Sequence, residues 1–253
     1  MLNIERLDEI LEYLKKYRSA SVSDLSKKLH IGEATIRRDL EKLQSNGFVK
    51  RTYGGAVLIE GLDSEIPLYV REKDNIDAKD AIGKLAADLV QENSICILDS
   101  SSTTYLMIEY LKNRKNLTII TNGAKTAVSL SQLQQSKIFS TGGKLREFSL
   151  SYIGNTAQSF IENFYVDKLF FSCRALSIDK GILDSSEEEA ELRKVMLKHC
   201  NQAILLADNT KFDNSAFYKI CDLNKIHAVV TDKKLDTAYE NFFKTHDISI
   251  ISL

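Results

Sequence analysis

Over the first sixty positions the apolar residues recur with a helical period. Leu7, Ile10, Leu11 and Leu14 share one face of a helix predicted over residues 3–17. Ser21-Val22-Ser23 follows, and Ser23 is the expected N-cap of a short second helix that buries Leu25 and Leu29. His30-Ile31-Gly32 reads as a tight turn. A third helix is predicted through EATIRRDLEKLQSNG, with Ile36, Leu40 and Leu43 facing inward and Gly47 suited to the C′ position. FVKRTYGGAVLI then reads as strand, Gly54-Gly55 turn and strand.

Beyond residue 58 the pattern changes. Residues 59–76 are polar, contain Gly61, Ser64 and the lone Pro67, and read as a linker into a helix over 77–91. Apolar runs at 95–98, 117–121, 137–140, 168–171, 203–206, 228–231 and 248–251 are expected strands. Helical stretches at 105–111, 156–163, 187–199 and 238–245 sit between several of them. The expected fold class is therefore α/β. A small N-terminal winged helix-turn-helix domain (1–58) precedes a doubly wound, mostly parallel-sheet domain (77–253).

Charge is unevenly divided between these parts. Residues 1–57 hold eleven Lys/Arg against eight Asp/Glu, a net +3, whereas the remainder carries −4. Affinity for nucleic acid follows local basic charge, which favours the N-terminal segment. A composition of 43% hydrophobic and 27% charged residues with one proline excludes disorder and a proline-rich linker. Cys96, Cys173, Cys200 and Cys221 have neither metal-clamp nor CxxC spacing and read as reduced thiols of an intracellular protein. His30, His199, His227 and His246 are scattered, so neither a metal nor a cofactor is expected. No apolar stretch approaches the ~20 residues needed to cross a bilayer, and the start is amphipathic rather than signal-like. These features predict a cytoplasmic protein without membrane contact.

The third helix turns Thr35, Arg38, Lys42 and Ser45 away from its apolar stripe, with Arg37 on the flank. Paired arginines on a helix that crosses another through a tight turn suit entry into the major groove, where guanidinium groups bond guanine edges or phosphates. Lys50 and Arg51 on the hairpin, with Tyr53, Gly54 and Gly55, suit a wing against the DNA backbone. Ser23 completes the candidate DNA-binding set. Taken singly, such arginines more often just solvate a helix; three helices, a basic face and a glycine hairpin in this order point to DNA.

In the larger domain, the segments after the expected strands are rich in hydroxyls, glycine and basic residues. They are Asp99-Ser100-Ser101-Ser102-Thr103-Thr104, Thr121-Asn122-Gly123, Thr141-Gly142-Gly143-Lys144 and Asp208-Asn209-Thr210-Lys211. A phosphate needs clustered N–H and O–H donors at a helix start, and Ser101–Thr104 with Lys211 supply them. Asp99 and Asp208 are suited to accept hydrogen bonds from sugar hydroxyls.

The segment ATIRRDLEKLQSNGFVKRTYGGA resembles the signature of the DeoR family of bacterial transcription regulators: a TIRRDL helix, a glycine and an R-x-x-GGA wing. The resemblance continues through the sensing domain. The family's D-S-G-T-T loop appears as Asp99-Ser100-Ser101-Ser102-Thr103, its T-N pair as Thr121-Asn122 and its GG pair as Gly142-Gly143. A later family glycine corresponds to Gly154, the LaD-x-x-KF segment to Leu206–Phe212, and E-A-x-x-K to Glu189-Ala190-Glu191-Leu192-Arg193. It implies a ribose-5-phosphate isomerase-like fold and a regulator, commonly a repressor, that binds a DNA operator and a phosphorylated sugar. Glu189 and Arg193 thereby join the candidate effector set. Gly32 in place of a serine N-cap, Tyr53 in place of histidine, Ser101 in place of glycine, Arg193 in place of lysine, and Ser172-Cys173-Arg174-Ala175 depart from the pattern.

Two other readings stay open at this level. One is an active sugar-phosphate isomerase or deaminase carrying a DNA-binding module, with Asp99, Glu189, Asp208 and Lys211 as chemical groups. The other is a DNA-binding adaptor whose C-terminal domain only oligomerises. A homodimer or higher even homo-oligomer, held through residues 58–253, is expected because one winged helix reads too short a site.

Overall fold

The structure, a computed structural model, describes residues 3–45, 48–58 and 66–253. Gly47 and residues 59–65 of the expected linker, with Gly61 and Ser64, lie outside them, as does the Ser45 side chain. The chain divides into two compact units, residues 1–66 and 67–253.

In the first unit, α1 (Asn3–Tyr17) turns Leu7, Ile10, Leu11 and Leu14 inward, all at most 4% exposed. After β1 (Ser19–Ser21), α2 (Val22–Leu29) buries Val22, Leu25 and Leu29. Its N-cap is Ser21, whose side chain accepts from the Asp24 amide, and not Ser23, which lies inside the helix. His30 ends α2 in the left-handed conformation, φ 55°, where one residue reverses the chain. In α3 (Glu33–Ser45), Ile36, Leu40 and Leu43 are fully buried. Arg6 on α1 grips the buried Asp39 through Nε–Oδ2 (2.5 Å) and Nη2–Oδ1 (2.9 Å), fixing how α3 rolls.

Strands β2 (Val49–Thr52) and β3 (Gly55–Leu58) form the hairpin, and β1 pairs with β3 on its other side. Thr52 faces Gly55, so the turn is Tyr53-Gly54 and not Gly54-Gly55. Gly55 is required by close approach, since a Cβ there would lie 2.0 Å from the Ala20 carbonyl oxygen.

The second unit opens with α4 (Leu68–Arg71) and α5 (Ile76–Ala87). Residues 67–76, read from the sequence as linker, therefore belong to this unit. Leu68 and Val70 are buried, and the Leu68 amide donates to the Phe148 carbonyl at 2.7 Å. The sequence pattern missed this because one helical turn is too short to show a period.

Five elements follow: β4 (Ile95–Leu98), α6 (Ser102–Leu111), β5 (Thr118–Thr121), α7 (Ala124–Leu130) and β6 (Lys137–Ser140). A small hairpin of β7 (Lys144–Arg146) and β8 (Ser151–Ile153) leads to α8 (Asn155–Ile161) and β9 (Val166–Phe171). Then come β10 (Ala175–Ser177), β11 (Gly181–Asp184), α9 (Glu187–Lys198) and β12 (Cys200–Leu206). Finally there are β13 (Tyr218–Cys221), β14 (Ala228–Thr231), α10 (Thr237–Thr245) and β15 (Ser249–Ser252).

The seven expected strands form one sheet in the order β15-β14-β12-β9-β4-β5-β6, with every pairing parallel. Alternate residues serve opposite faces. Cys96, Leu98, Phe170, Ile204 and Val230 pack with α5, α6 and α7. Ile97, Leu169, Phe171, Leu205 and Val229 pack with α8, α9 and α10. Burial on both sides explains the continuous apolar runs of the inner strands, whereas the edge strands β6 and β15 stay exposed or half-buried. The antiparallel sheet β10-β11-β13 supplies Leu176, Ile182 and Ile220 to the second of these cores.

Candidate functional site

Parallel pairing brings the segments after β4, β5, β6, β9 and β12 to one edge, the usual place for a ligand in such sheets. At its centre, Asp99, Ser100, Ser101, Ser102, Thr103 and Thr104 are all at most 5% exposed. Asp99 is fully engaged and does not offer itself to a hydroxyl. Its Oδ1 accepts from the Ser101 amide (3.0 Å) and Thr104 Oγ1 (2.8 Å). Its Oδ2 accepts from the Ser172 amide (3.2 Å) and Arg193 Nε (2.9 Å). Ser101 caps α6 through the Thr104 amide (3.2 Å), and Ser101 Oγ and Thr104 Oγ1 lie 2.9 Å apart. Both hydroxyls are thus used within the turn.

Arg193 closes a buried network over this turn. Its Nη1 lies 3.0 Å from Asp184 Oδ2 and 3.3 Å from Glu189 Oε2, besides the bonds to Asp99. Burial opposes its charge, but Asp99, Asp184 and Glu189 prevail and hold its pKa above the usual guanidinium value. Burial likewise pushes the Glu189 carboxyl up; Arg193, the Ser151 hydroxyl bond and Arg146 more than offset it and hold it below the usual range. Ser151 Oγ donates to Glu189 Oε1 at 2.5 Å, and Ser100 Oγ donates to Oε2 at 3.4 Å.

Asn122, at the end of β5, donates through Nδ2 to Ser100 Oγ and the Tyr152 carbonyl, both at 3.3 Å. Its Oδ1 and the Thr103 Oγ1 are buried without a hydrogen-bond partner among the described residues. Thr121 is fully buried and accepts the Gly123 amide at 3.1 Å. Gly142 and Gly143 take positive φ, and a Cβ at Gly143 would lie 2.8 Å from the Ile153 carbonyl oxygen. Lys144 is exposed and pairs with Glu188 at 3.2 Å, a carboxylate it shares with Arg146, which in turn reaches Glu189.

After β12, Asp208 is buried and accepts from the Thr210 amide (3.1 Å) and hydroxyl. Lys211 donates to the Cys173 carbonyl. Ser151, Asp184 and Arg146 escaped the sequence reading, and Ser100 and Ser172 were named there without a role, because their partners are distant in the chain. Lys79 escaped it too, although a signal existed. It stands at i with Ile82, Gly83 and Ala86 at i+3, i+4 and i+7, on the buried face of α5.

In the first unit, Thr35 is half-buried on the outer side of α3 and Arg38 is exposed. Arg37 pairs with Glu33 at 2.6 Å, and Arg51 with Glu41 at 2.7 Å. Lys42 and Lys50 are exposed, and Tyr53 projects fully from the tip of the hairpin. Ser23 is half-buried.

Residues 6–61 match the family model of the DeoR-like helix-turn-helix domain, and residues 74–233 that of the DeoR C terminal sensor domain. The chain is 40% identical to an uncharacterised HTH-type transcriptional regulator, YulB, of Bacillus subtilis (strain 168), covering 94% of this chain and 92% of that one. The chain belongs to the DeoR family. A putative aga operon transcriptional repressor of Escherichia coli O157:H7 is 30% identical over 90% of this chain and 86% of that one. Ribose 5-phosphate isomerase A of Neisseria gonorrhoeae aligns over 54% of this chain and 53% of that one, with TM-score 0.41 and 14% identity. This DeoR-family protein is a DNA-binding transcriptional regulator rather than an enzyme. Of the groups named for an enzymatic reading, Asp99 and Glu189 are both ion-paired with Arg193. No helix among the described residues is long and apolar enough to cross a membrane.

Proposed function

We propose that the protein represses a sugar-metabolism operon in the cytoplasm and that a phosphorylated sugar, bound at the strand ends of the second unit, modulates its hold on the operator. The observation that carries the effector reading is the pair of buried unpartnered atoms, Thr103 Oγ1 and Asn122 Oδ1, on the same strand-end edge as the Lys211 loop. A buried polar atom without a partner costs about 1–3 kcal/mol, so a polar ligand that satisfies it binds favourably. Asn122 Oδ1 accepts only, which suits a sugar hydroxyl, while Lys211 faces the anion. Ser101, Ser102, Thr104, Thr121, Gly142, Gly143, Glu189, Arg193 and Asp99 shape the walls; Asp208 orients the Lys211 loop.

On the DNA side, Thr35, Arg38 and Lys42 are assigned to the major groove. Lys50, Arg51 and the Tyr53-Gly54-Gly55 tip are assigned to the backbone. Two such units in a homodimer or higher even oligomer then read paired half-sites.

A thermal-shift screen of matched phosphorylated and unphosphorylated sugars tests the effector. A ligand at ~100 times its dissociation constant should stabilise the protein by about 2.7 kcal/mol. Equal shifts from both members of each pair would remove the phosphate from the reading. Duplexes selected from a random pool test the DNA side, since a regulator of this kind should enrich one sequence with paired half-sites.

A further inference from the structure

Where the loops after β9 and β12 meet the α4–α5 turn, four cations gather. Lys79 is 4% exposed, and its ammonium donates to the carbonyl oxygens of Arg71 and Asp74, the second at 2.5 Å. The Lys211 ammonium donates to the carbonyl of Cys173, the neighbour of Arg174. Asn75 Nδ2 donates to Thr210 Oγ1 at 3.4 Å and closes the turn onto the Lys211 loop. Arg71 Nε is buried without a hydrogen-bond partner, and no hydrogen bond or ion pair engages the Arg174 side chain, among the described residues.

These groups act on one another. The Lys79 ammonium is pushed down to about 8, first by burial and then by the Lys211 charge, with Arg71 adding to it and Asp208 and Asp74 opposing. The Arg174 pKa is drawn down by desolvation and then by Arg71. Three carboxylates lie nearby: Asp184 is held by Arg193 and Asp208 by Thr210, while Asp74 acts on both Lys79 and Arg174, so four cations face three carboxylates. Like charges crowded in this way favour a bound anion.

We propose that Arg71, Lys79 and Arg174 join Lys211 in a cationic subsite that takes the phosphate dianion of the effector. This rests on the sugar-phosphate reading above and deepens it. The phosphate lies at the β9–β12 side, under α4, and the sugar extends toward Thr103 and Asn122. Ser101 and Thr104, whose hydroxyls are used within their own turn, hold the cradle rather than the phosphate.

The full-length protein is titrated with inorganic phosphate at constant ionic strength, with chloride as the control. Wild type should be stabilised saturably, and Arg174→Gln should weaken the apparent affinity about tenfold or more. Arg174 reaches solvent, so this variant keeps the fold even if Lys79→Met does not. Calorimetry at pH 8 in buffers of differing ionisation heat should show wild type taking up roughly half a proton per phosphate, because the anion restores the Lys79 charge. Lys79→Met should lose that uptake, which a purely structural lysine would not predict. An unchanged phosphate affinity in Arg174→Gln, or uptake persisting in Lys79→Met, overturns the subsite. If sugar phosphates bind both proteins equally well, the subsite falls and the sugar-phosphate reading stands. If unphosphorylated sugars bind as tightly and phosphate has no effect, both fall.

Discussion

Arg193, itself buried, holds three carboxylates, from Asp99, Asp184 and Glu189. Breaking a buried pair by removing one partner leaves an uncompensated charge and costs about 3–5 kcal/mol. Arg193→Met should therefore lower stability by about that amount in urea denaturation, and Arg193→Lys, which keeps the charge but not the fork of donors, by less. The pH dependence has a definite sign. The Glu189 carboxyl is held below its unfolded value, so its contribution is full above that value, ~4.3, and is lost as pH falls through the folded one. In Arg193→Met the loss should begin at higher pH, because the guanidinium that lowers the Glu189 value is gone. An acid limb identical to wild type would show that Arg193 does not set it. Asp99 was legible in the sequence as a strand-end carboxylate, but its role was not. The arginine that consumes it lies 94 residues further along the chain, and spacing does not encode that contact. Arg38 is the simpler case: an exposed arginine on the outer side of a helix whose apolar face is fully accounted for. Replacing it with alanine should cost roughly 1–3 kcal/mol of specific DNA affinity, as read by fluorescence anisotropy on a selected duplex. Undiminished affinity would take Arg38 out of the interface.

The wing illustrates how an element is fixed from both sides. β3 pairs with β2 and with β1, and Gly55 lies where β3 meets the Ala20 carbonyl. Gly55→Ala should force those strands apart, lowering the thermal midpoint and the DNA affinity together, whereas Gly54→Ala meets open space and should do neither by this route. β1 also explains why the cap of α2 was read two residues late. Ser21 and Ser23 are equally good caps by residue type. Only the pairing of residues 19–21 with β3 keeps Ser21 extended and starts the helix at Val22. Ser21→Ala should cost about 0.5–2 kcal/mol and Ser23→Ala distinctly less; equal losses on denaturation would refute the assignment. The inner parallel strands were legible because burial on both faces writes continuous apolar runs into the sequence. α4 and the β7–β8 hairpin were not, being too short for a period to emerge.

At the scale of the whole molecule, regulation requires that the effector and the operator each prefer a different state of the protein. The coupling free energy between them is then a single number, so DNA must change effector affinity by the same factor as effector changes DNA affinity. Lys211 is the natural residue at which to cut this link. Its ammonium bonds the Cys173 carbonyl, joining the loop after β12 to the end of β9, and Phe212 and Asp213 beside it bind Tyr239 of α10. An anion that draws on Lys211 thus acts on a loop anchored to two other elements. Operator titrations of wild type with and without a sugar phosphate found by the thermal screen should give affinities that differ by about 5- to 150-fold, the usual range for such coupling. In Lys211→Ala the ratio should fall toward one. The same factor must appear when effector is titrated into wild-type protein with and without operator, run at concentrations where light scattering shows one oligomeric state. A ratio that persists in Lys211→Ala would place the anion elsewhere. Unequal factors in the two wild-type titrations would mean that a change of assembly, and not two states of one assembly, carries the response.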